Sequence, residues 1–117
     1  MSNYTIYHNP RCSKSRNTLA LLQEQGIEPD VVLYLETSPD AQEIRGLLNK
    51  LGIGAAQLVR RGEEAYKGCG LNSHSSEEEL IAAMASHPKL IERPIVVSGR
   101  RAVLGRPPEN VLELLPS

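Results

Sequence analysis

The order of hydrophobic and polar residues near the N-terminus predicts a strand, a helix and a second strand. An alternating run at residues 4–7 predicts the first strand, and a helix-like stretch follows at residues 13–25, with Gly26 as its stop signal. Three leucines give this helix a core-facing side: Leu19, Leu21 and Leu22. A β-rich run at residues 31–34 predicts the second strand. Such a short crossover implies a right-handed parallel βαβ unit.

Two further helices are predicted in the middle of the chain. The first covers Pro39–Gly52, and a less regular region follows at residues 60–70. The second begins with a capping-box pattern at Ser76 and closes at His87. The apolar residues at helical spacing are Ile44, Leu47, Leu48 and Leu51 in the first helix and Leu80, Ile81 and Met84 in the second. Together these elements predict an all-helical insertion at about residues 39–88.

The last third of the chain predicts a hairpin and a closing helix. Apolar runs at residues 95–97 and 102–104 flank a turn at Ser98-Gly99, and a helix follows Pro107-Pro108. This helix carries Val111, Leu112, Leu114 and Leu115. The complete order has a cysteine after the first strand and a proline before the third. It is the plan of a thioredoxin-like α/β fold with an all-helical insertion, in a single domain over residues 1–117.

Composition and charge restrict the partners and the cellular location expected for this domain. The chain has 117 residues, of which 40% are hydrophobic, and a formal net charge of -1. These values suit one globular domain and do not favour nucleic acid as a partner. No apolar run approaches membrane-spanning length, and the first residues lack the features of a signal peptide, so a cytoplasmic location is predicted. In a reducing compartment, a structural disulfide between Cys12 and Cys69 is not expected.

Cys12 is the strongest candidate for chemistry in the chain. It lies between the first predicted strand and the following helix, where main-chain N–H groups and the helix dipole both favour a thiolate. No acidic residue occurs from Asn9 to Gln23, whereas Arg11, Lys14 and Arg16 are close in sequence. These charges are expected to lower the pKa of the thiol further. Cys12 is therefore predicted to be a nucleophile.

Two simpler interpretations of Cys12 are open. It could be an inert small residue in the strand-to-helix turn, or its loop could bind a phosphate through main-chain amides without covalent chemistry. The loop lacks the glycine spacing of a P-loop, and Thr18 stands where the phosphatase-like pattern C-x5-R needs arginine. Ser15 replaces the second cysteine of a C-x-x-C motif, which excludes an internal dithiol at this site. Cys69 is interpreted as an incidental surface thiol.

Four segments of the chain resemble those of glutaredoxin-coupled arsenate reductases. They read IYHNPRCSKSRNTL at residues 6–19, LYLE at residues 33–36, ERPIVV at residues 92–97 and GRPP at residues 105–108. The similarity extends from about residue 4 to residue 114. The chain is most similar to the short members of the family, which lack its usual C-terminal extension. It is therefore identified as a member of this family, with a thioredoxin- or glutaredoxin-like fold.

The resemblance implies an arsenate reductase with a covalent mechanism. The Cys12 thiolate attacks arsenate and displaces an oxygen as water, and glutathione then attacks the thiol-bound arsenic adduct. Glutaredoxin completes the reduction by thiol–disulfide exchange, and arsenite leaves. Glutathione is thus the expected co-substrate and glutaredoxin the expected protein partner, with no metal, flavin or nicotinamide bound to the chain.

The resemblance also implies a set of residues for binding the substrate. Arg60, Arg93 and Arg106 correspond to the anion-binding arginines of the family. Arginine suits this role because its planar fork makes paired hydrogen bonds to tetrahedral oxyanions. Each of the three could instead be a solvated surface charge. Pro94 occupies the place of a cis-proline that touches the active thiol in folds of this kind.

Two polar residues near the thiol are further candidates. His8 lies four residues before Cys12 and could polarise the thiol or help to deprotonate it. Ser15 is expected to donate a hydrogen bond to the thiolate from one helical turn away. The alternative for His8 is a hydrogen-bonded structural role at a strand end, and the alternative for Ser15 is a helix cap.

Other functions remain open from the sequence. A thiol oxidoreductase acting on another oxyanion or on mixed disulfides would have the same features. A regulator of the Spx type, which binds RNA polymerase, would share the fold, but such redox switches generally carry C-x-x-C where this chain has Ser15. A metal site is not expected, because the spacing of the potential ligands fits none of the usual pairs. These potential ligands are Cys12, Cys69, His8, His74 and His87.

Overall fold

The chain forms two compact units in its computed structural model, which describes residues 4–105 and 107–114. The first, here called the sheet unit, contains the described residues up to Tyr34 and from Arg93 onward. The second, here called the helical unit, is Leu35–Glu92. The sheet unit is therefore assembled from both ends of the chain.

A four-stranded mixed sheet forms the centre of the sheet unit. The elements of this unit are β1 (Tyr4–Tyr7), α1 (Ser13–Glu24), β2 (Asp30–Val32), β3 (Ile95–Ser98), β4 (Arg101–Leu104) and a terminal 3-10 helix (Pro108–Leu114). The strand order is β2-β1-β3-β4. β1 runs parallel to β2 and antiparallel to β3, and β3 runs antiparallel to β4. The predicted parallel βαβ arrangement and the C-terminal hairpin are both confirmed.

A small apolar core holds α1 and the terminal 3-10 helix in the sheet unit. Its buried members are Ile6, Leu22, Val96, Val111 and Leu114, and Tyr4, Leu19, Leu21, Ile27 and Val103 pack against them. Ile6 stands opposite Val31 on one side and Val96 on the other, so the middle of β1 is enclosed by sheet neighbours. Of the three leucines predicted to face the core, Leu22 is fully buried and the other two are partly buried.

Two elements of the sheet unit differ from the sequence prediction. β2 covers Asp30–Val32 instead of residues 31–34, because its partner β1 ends at Tyr7, which pairs with Val32. The closing helix is a 3-10 helix rather than an α-helix, and Leu115, predicted to lie on it, is outside the described residues.

The helical unit is built from four α-helices and one short 3-10 helix. They are α2 (Ala41–Leu51), α3 (Ala55–Leu58), α4 (Glu64–Gly68), α5 (Glu77–Ser86) and the 3-10 helix Pro88–Leu90. The region predicted to be irregular at residues 60–70 therefore contains α4. An isolated antiparallel bridge joins Val59 to Ile91. No helix in the two described stretches is long and apolar enough to cross a bilayer.

Local capping interactions set the ends of α2 and α5, the two longer helices of the helical unit. The side chain of Asp40 accepts a hydrogen bond of 2.8 Å from the Glu43 N–H, so α2 begins after Asp40 and Pro39 lies before the helix rather than in its first turn. Gly52 ends α2 with a positive φ of 70°, as predicted. The capping box of α5 is also confirmed, because Ser76 and Glu79 exchange side-chain and main-chain hydrogen bonds.

Candidate active site

Cys12 is the N-cap residue of α1, at the end of a tight loop that follows β1. Its N–H donates to the Asn9 carbonyl at 3.0 Å, and its own carbonyl accepts from the Arg16 N–H at 3.0 Å to begin the helix. The Arg16 guanidinium donates to the Pro10 carbonyl at 2.9 Å. These bonds close the loop over the helix start and leave the thiol partly exposed.

Main-chain amides and one arginine stabilise the thiolate of Cys12. Burial by itself raises the pKa of the thiol, but the N–H of Ser15, the charge of Arg93, the N–H of Lys14 and a hydrogen bond from Arg93 outweigh it, so the pKa lies below its ordinary value. Lys14 and Ser15 hold the second and third helical positions, whose N–H groups face an N-cap side chain. The sulfur therefore occupies the place of a capping oxygen.

The charge that lowers the thiol pKa comes from a different residue than predicted. The sequence indicated the neighbouring side chains of Arg11, Lys14 and Arg16, and all three are exposed. The positive charge acting on the thiol belongs instead to Arg93, which immediately precedes β3. Solvent screens exposed side chains, whereas a partly buried guanidinium that is hydrogen-bonded to the sulfur is screened much less.

His8 and Ser15 form a buried hydrogen-bonded pair beside the loop. His8 Nδ1 and Ser15 Oγ are 2.7 Å apart, and the Asn9 N–H donates to the same hydroxyl at 3.0 Å. Burial, and then the charge of Arg16, lower the pKa of His8, so the neutral imidazole is favoured. A neutral imidazole supplies no positive charge, and His8 is therefore not the cation that stabilises the thiolate.

Ser15 reaches the thiolate through its main chain rather than its side chain. The sequence assigned this hydrogen bond to the hydroxyl, but the hydroxyl bonds to His8 and to the Asn9 N–H. The group that lowers the pKa of Cys12 is the N–H of Ser15. The physical reason is the direction of the helix: the amides of its first turn point towards the N-cap residue, while the Ser15 side chain points back to the end of β1.

Of the three predicted anion-binding arginines, the structure describes two. Arg93 interacts with Cys12 in the sheet unit, and its Nε and Nη1 atoms are buried. Arg60 belongs to the helical unit, where its Nη1 atom is 2.6 Å from a Glu63 oxygen and its Nε atom is 3.4 Å from a Glu92 oxygen. Arg106 lies outside the described residues.

Pro94 follows Arg93 in a cis peptide bond, as the family resemblance implied. It is buried, and its carbonyl accepts a hydrogen bond of 2.9 Å from the Gly105 N–H. Gly105 also contacts Thr18 of α1, which is fully buried. Sequence reasoning did not single out Thr18 or Gly105 as residues of the site. The only signal was the glycine directly after the last predicted strand, and its neighbours come from distant segments.

Cys69 is exposed at the C-terminal end of α4, and both cysteines are free thiols. Within the described ranges, no three His, Cys, Asp or Glu side chains form a group that could hold a metal ion. The groups that the structure brings together at the site are an activated thiol and a guanidinium.

Comparison with known proteins gives consistent matches over nearly the whole chain. Residues 7–114 match the model of the ArsC family. The chain is 59% identical over 112 residues to YfgD of Escherichia coli (strain K12), described as uncharacterized, with 94% of each protein covered. It is 50% identical over 112 residues to an arsenate reductase of Haemophilus influenzae, covering 94% of this chain and 97% of that protein.

A solved structure is also similar to this chain over nearly its whole length. An arsenate reductase from Vibrio cholerae is 56% identical in sequence and matches with a TM-score of 0.92, over 96% of this chain and 97% of the other. A similarity of this extent covers the loop that carries Cys12, the sheet and the helical unit. The thioredoxin-like architecture expected from the order of elements is thus shared with a solved protein.

Proposed function

The chain belongs to the ArsC family, and on that basis we propose that it is an arsenate reductase with Cys12 as its nucleophile. Named arsenate reductases at about half identity support the reaction class, an oxidoreduction of arsenate. The observation that carries the assignment of Cys12 is its position as the N-cap of α1, where two amides and Arg93 lower the thiol pKa. A thiolate is the form that attacks an electrophilic centre such as arsenic.

The proposed first step is attack on arsenate. A bond forms between the Cys12 sulfur and arsenic, and one arsenate oxygen is protonated and leaves as water. The guanidinium of Arg93, which is next to the sulfur, is suited to bind the remaining oxygens by paired hydrogen bonds. The N–H groups that stabilise the thiolate become available to the substrate oxygens once the sulfur loses its charge in forming the new bond. Substrate binding and thiol activation thus use the same donors.

The proposed reduction uses external thiols. A glutathione thiolate bonds to arsenic in the adduct and displaces a second oxygen as water. A glutaredoxin thiolate then attacks the glutathione sulfur to form a mixed disulfide, and the electron pair of the glutathione sulfur–arsenic bond passes to arsenic, which is reduced from the pentavalent to the trivalent state. Water releases arsenite and restores the Cys12 thiol. External thiols are needed because Ser15 stands where a C-x-x-C motif would hold a resolving cysteine.

The other site residues have supporting roles in this proposal. Arg60 and Arg106 are proposed as oxyanion ligands because of the family resemblance. His8 is proposed to act through Ser15: their hydrogen bond holds the Ser15 backbone in the orientation that presents its N–H to the sulfur. His8 is thus a positioning residue.

The proposal is tested by coupled turnover. NADPH oxidation is followed with arsenate, glutathione, glutaredoxin and glutathione reductase, for the wild type, Cys12→Ser and Cys69→Ser. We expect turnover in the wild type, at least about a thousandfold loss in Cys12→Ser because the nucleophile is removed, and unchanged turnover in Cys69→Ser. The last variant is the matched control, since it removes an exposed thiol of the same chain.

Two results would contradict the proposal in different ways. Equal arsenate turnover in the wild type and Cys12→Ser would exclude Cys12 as the nucleophile. If the wild type is inactive with arsenate but active on glutathione mixed disulfides, the protein is a thiol oxidoreductase that acts on another substrate. Replacing glutaredoxin by thioredoxin and thioredoxin reductase in the same assay identifies the reductant.

A further inference from the structure

A single buried hydroxyl connects α1 to the segment that follows β4. Thr18 Oγ1 is 2.8 Å from the Lys14 carbonyl within the helix and 3.2 Å from the Gly105 carbonyl beyond β4. The Thr18 side chain is fully buried. Because a buried hydroxyl is costly to leave without partners, this contact fixes where the two segments meet.

Gly105 is packed too closely for any side chain. A Cβ atom placed there would lie 2.6 Å from Thr18 Oγ1, 2.8 Å from Thr18 Cγ2 and 2.8 Å from Pro94 Cγ. The neighbours are a buried helix residue and a buried proline, whose close packing leaves them little room to move. The backbone of Gly105 has no positive φ. Space rather than backbone conformation therefore demands a glycine at this position.

The same glycine is bonded to the segment that carries the active arginine. Its N–H donates to the Pro94 carbonyl at 2.9 Å, and Pro94 directly follows Arg93, whose side chain interacts with Cys12. On the other side of Gly105, Thr18 belongs to the helix whose first turn supplies the N–H groups that face the sulfur. Gly105 thus contacts both the helix that supplies the N–H donors and the proline that follows Arg93.

We propose that Gly105 and Thr18 are positioning residues that set the separation between the first turn of α1 and the Arg93-Pro94 segment. The inference rests on the proposed function in that it takes Cys12 as the reactive group. A helix held at hydrogen-bonding distance from Gly105 keeps the Arg93 guanidinium within reach of the sulfur. Any atom inserted between them moves the helix and the arginine apart.

The test replaces Gly105 and reads the thiol itself. In Gly105→Ala, the pH profile of Cys12 alkylation by iodoacetamide should shift to higher pH, because Arg93 is drawn away from the thiolate. At a pH below the pKa, the fraction of thiolate falls about tenfold for each unit by which the pKa rises. Alkylation at mildly acidic pH should therefore fall several-fold. The matched control is Gly46→Ala, because a Cβ on Gly46 meets no atom within 4 Å. Its profile should equal that of the wild type.

Two further variants keep the proposal testable if Gly105→Ala does not fold. Thr18→Val keeps the shape of the side chain but removes the hydroxyl that bonds to Gly105, and its alkylation profile should shift in the same direction by a smaller amount. Gly105→Ala combined with Thr18→Ala removes the two closest Thr18 atoms, and it should recover part of the lost reactivity. Folded Gly105→Ala and Thr18→Val proteins with wild-type alkylation profiles would overturn the proposal.

This experiment separates the positioning proposal from the proposed function. A shifted alkylation profile in Gly105→Ala, together with a wild type that does not reduce arsenate, would support the positioning role and contradict the arsenate assignment. Arsenate turnover with an unshifted profile in Gly105→Ala would do the reverse. In an active enzyme, we expect kcat/KM for arsenate to fall by on the order of tenfold in Gly105→Ala, since small displacements of reacting groups are costly.

Discussion

At the scale of single residues, the reactive state of Cys12 depends on donors from two places in the chain. The amides of Lys14 and Ser15 are supplied by the helix that the cysteine caps, and Arg93 comes from the start of β3. Burial opposes them, because removing the thiolate from water raises its pKa. The net lowering of the thiol pKa is therefore the balance of donors from both places against burial.

The contribution of Arg93 can be measured directly. In Arg93→Ala, the pKa of Cys12 should rise, because a charge and a hydrogen bond that favour the thiolate are lost. The wild type and the variant should alkylate equally at a pH above both pKa values, and the variant should fall behind as the pH decreases. Arg11→Ala is the matched control: it removes an exposed arginine adjacent to Cys12 in sequence. A larger shift in Arg11→Ala than in Arg93→Ala would contradict this assignment.

Arg60 illustrates a cation with competing partners. Glu63 and Glu92 both approach its guanidinium, at 2.6 Å and 3.4 Å, and the three side chains are 28 to 29% exposed. An oxyanion that binds Arg60 must compete with these carboxylates. Partial burial makes that competition stronger than for a pair in open solvent.

With Arg60 proposed as an oxyanion ligand, the carboxylate of Glu63 is expected to weaken substrate binding. In Glu63→Gln, we expect the KM for arsenate to decrease about twofold to fivefold, because a neutral amide holds Arg60 less tightly. Glu64→Gln makes the same charge change at an exposed neighbour and should have a smaller effect. A higher KM in Glu63→Gln would instead mean that Glu63 orients Arg60 for the substrate. Steady-state kinetics at fixed ionic strength decide between these outcomes.

At the scale of elements, each long helix of the chain starts in a different way. α2 begins with an aspartate cap and α5 with a reciprocal capping box, and both satisfy the free N–H groups of the first turn. α1 has no side-chain capping hydrogen bond of this kind, and a cysteine stands at its N-cap. The N–H groups of Lys14 and Ser15 are thus directed to the Cys12 sulfur rather than to a capping oxygen.

The capping box of α5 offers a test of stability. The Ser76 hydroxyl accepts from the Glu79 N–H at 3.1 Å, and the Glu79 carboxylate accepts from the Ser76 N–H at 3.0 Å. Ser76→Ala should lower the free energy of unfolding by about 1 kcal/mol, because one N–H of the first turn loses its partner. Urea titration measures the change, with the exposed Ser73→Ala as the control. Equal unfolding midpoints for the two variants would contradict a stabilising cap.

The carboxylate of this box also gives a pH dependence with a definite sign. The Ser76 N–H and hydroxyl lower the pKa of Glu79. Its stabilising contribution is therefore fully present above the ordinary pKa of a glutamate and is lost as the pH falls through the lower folded-state value.

At the scale of the whole molecule, the sheet unit is formed by both ends of the sequence and the helical unit by the middle. This arrangement brings Cys12, from the first part of the chain, to Arg93, from the last. Arg60 lies in the helical unit, where Glu63 and Glu92 approach its guanidinium. The candidate site residues are thus spread over segments that the sequence keeps far apart.

The sequence by itself determined the features that depend on nearby residues. The strand before Cys12, the helix after it, the stop at Gly52 and the capping box at Ser76 all follow from hydrogen bonds or spacing within a few residues. The cysteine at a helix start was visible for the same reason. Family resemblance added the cis bond at Pro94, which no local pattern indicates.

Tertiary structure alone decided which distant groups act on the thiol. The sequence predicted that the cations nearest in the chain lower the thiol pKa. In the structure Arg93 has this effect, and Arg11 is exposed. It also reveals that Thr18 and Gly105 pack together without space for a side chain. Periodicity and capping report the environment of each element, but the approach of two segments depends on how complete side chains fill the core between them. That information is distributed over the whole chain, and only the folded molecule brings it together.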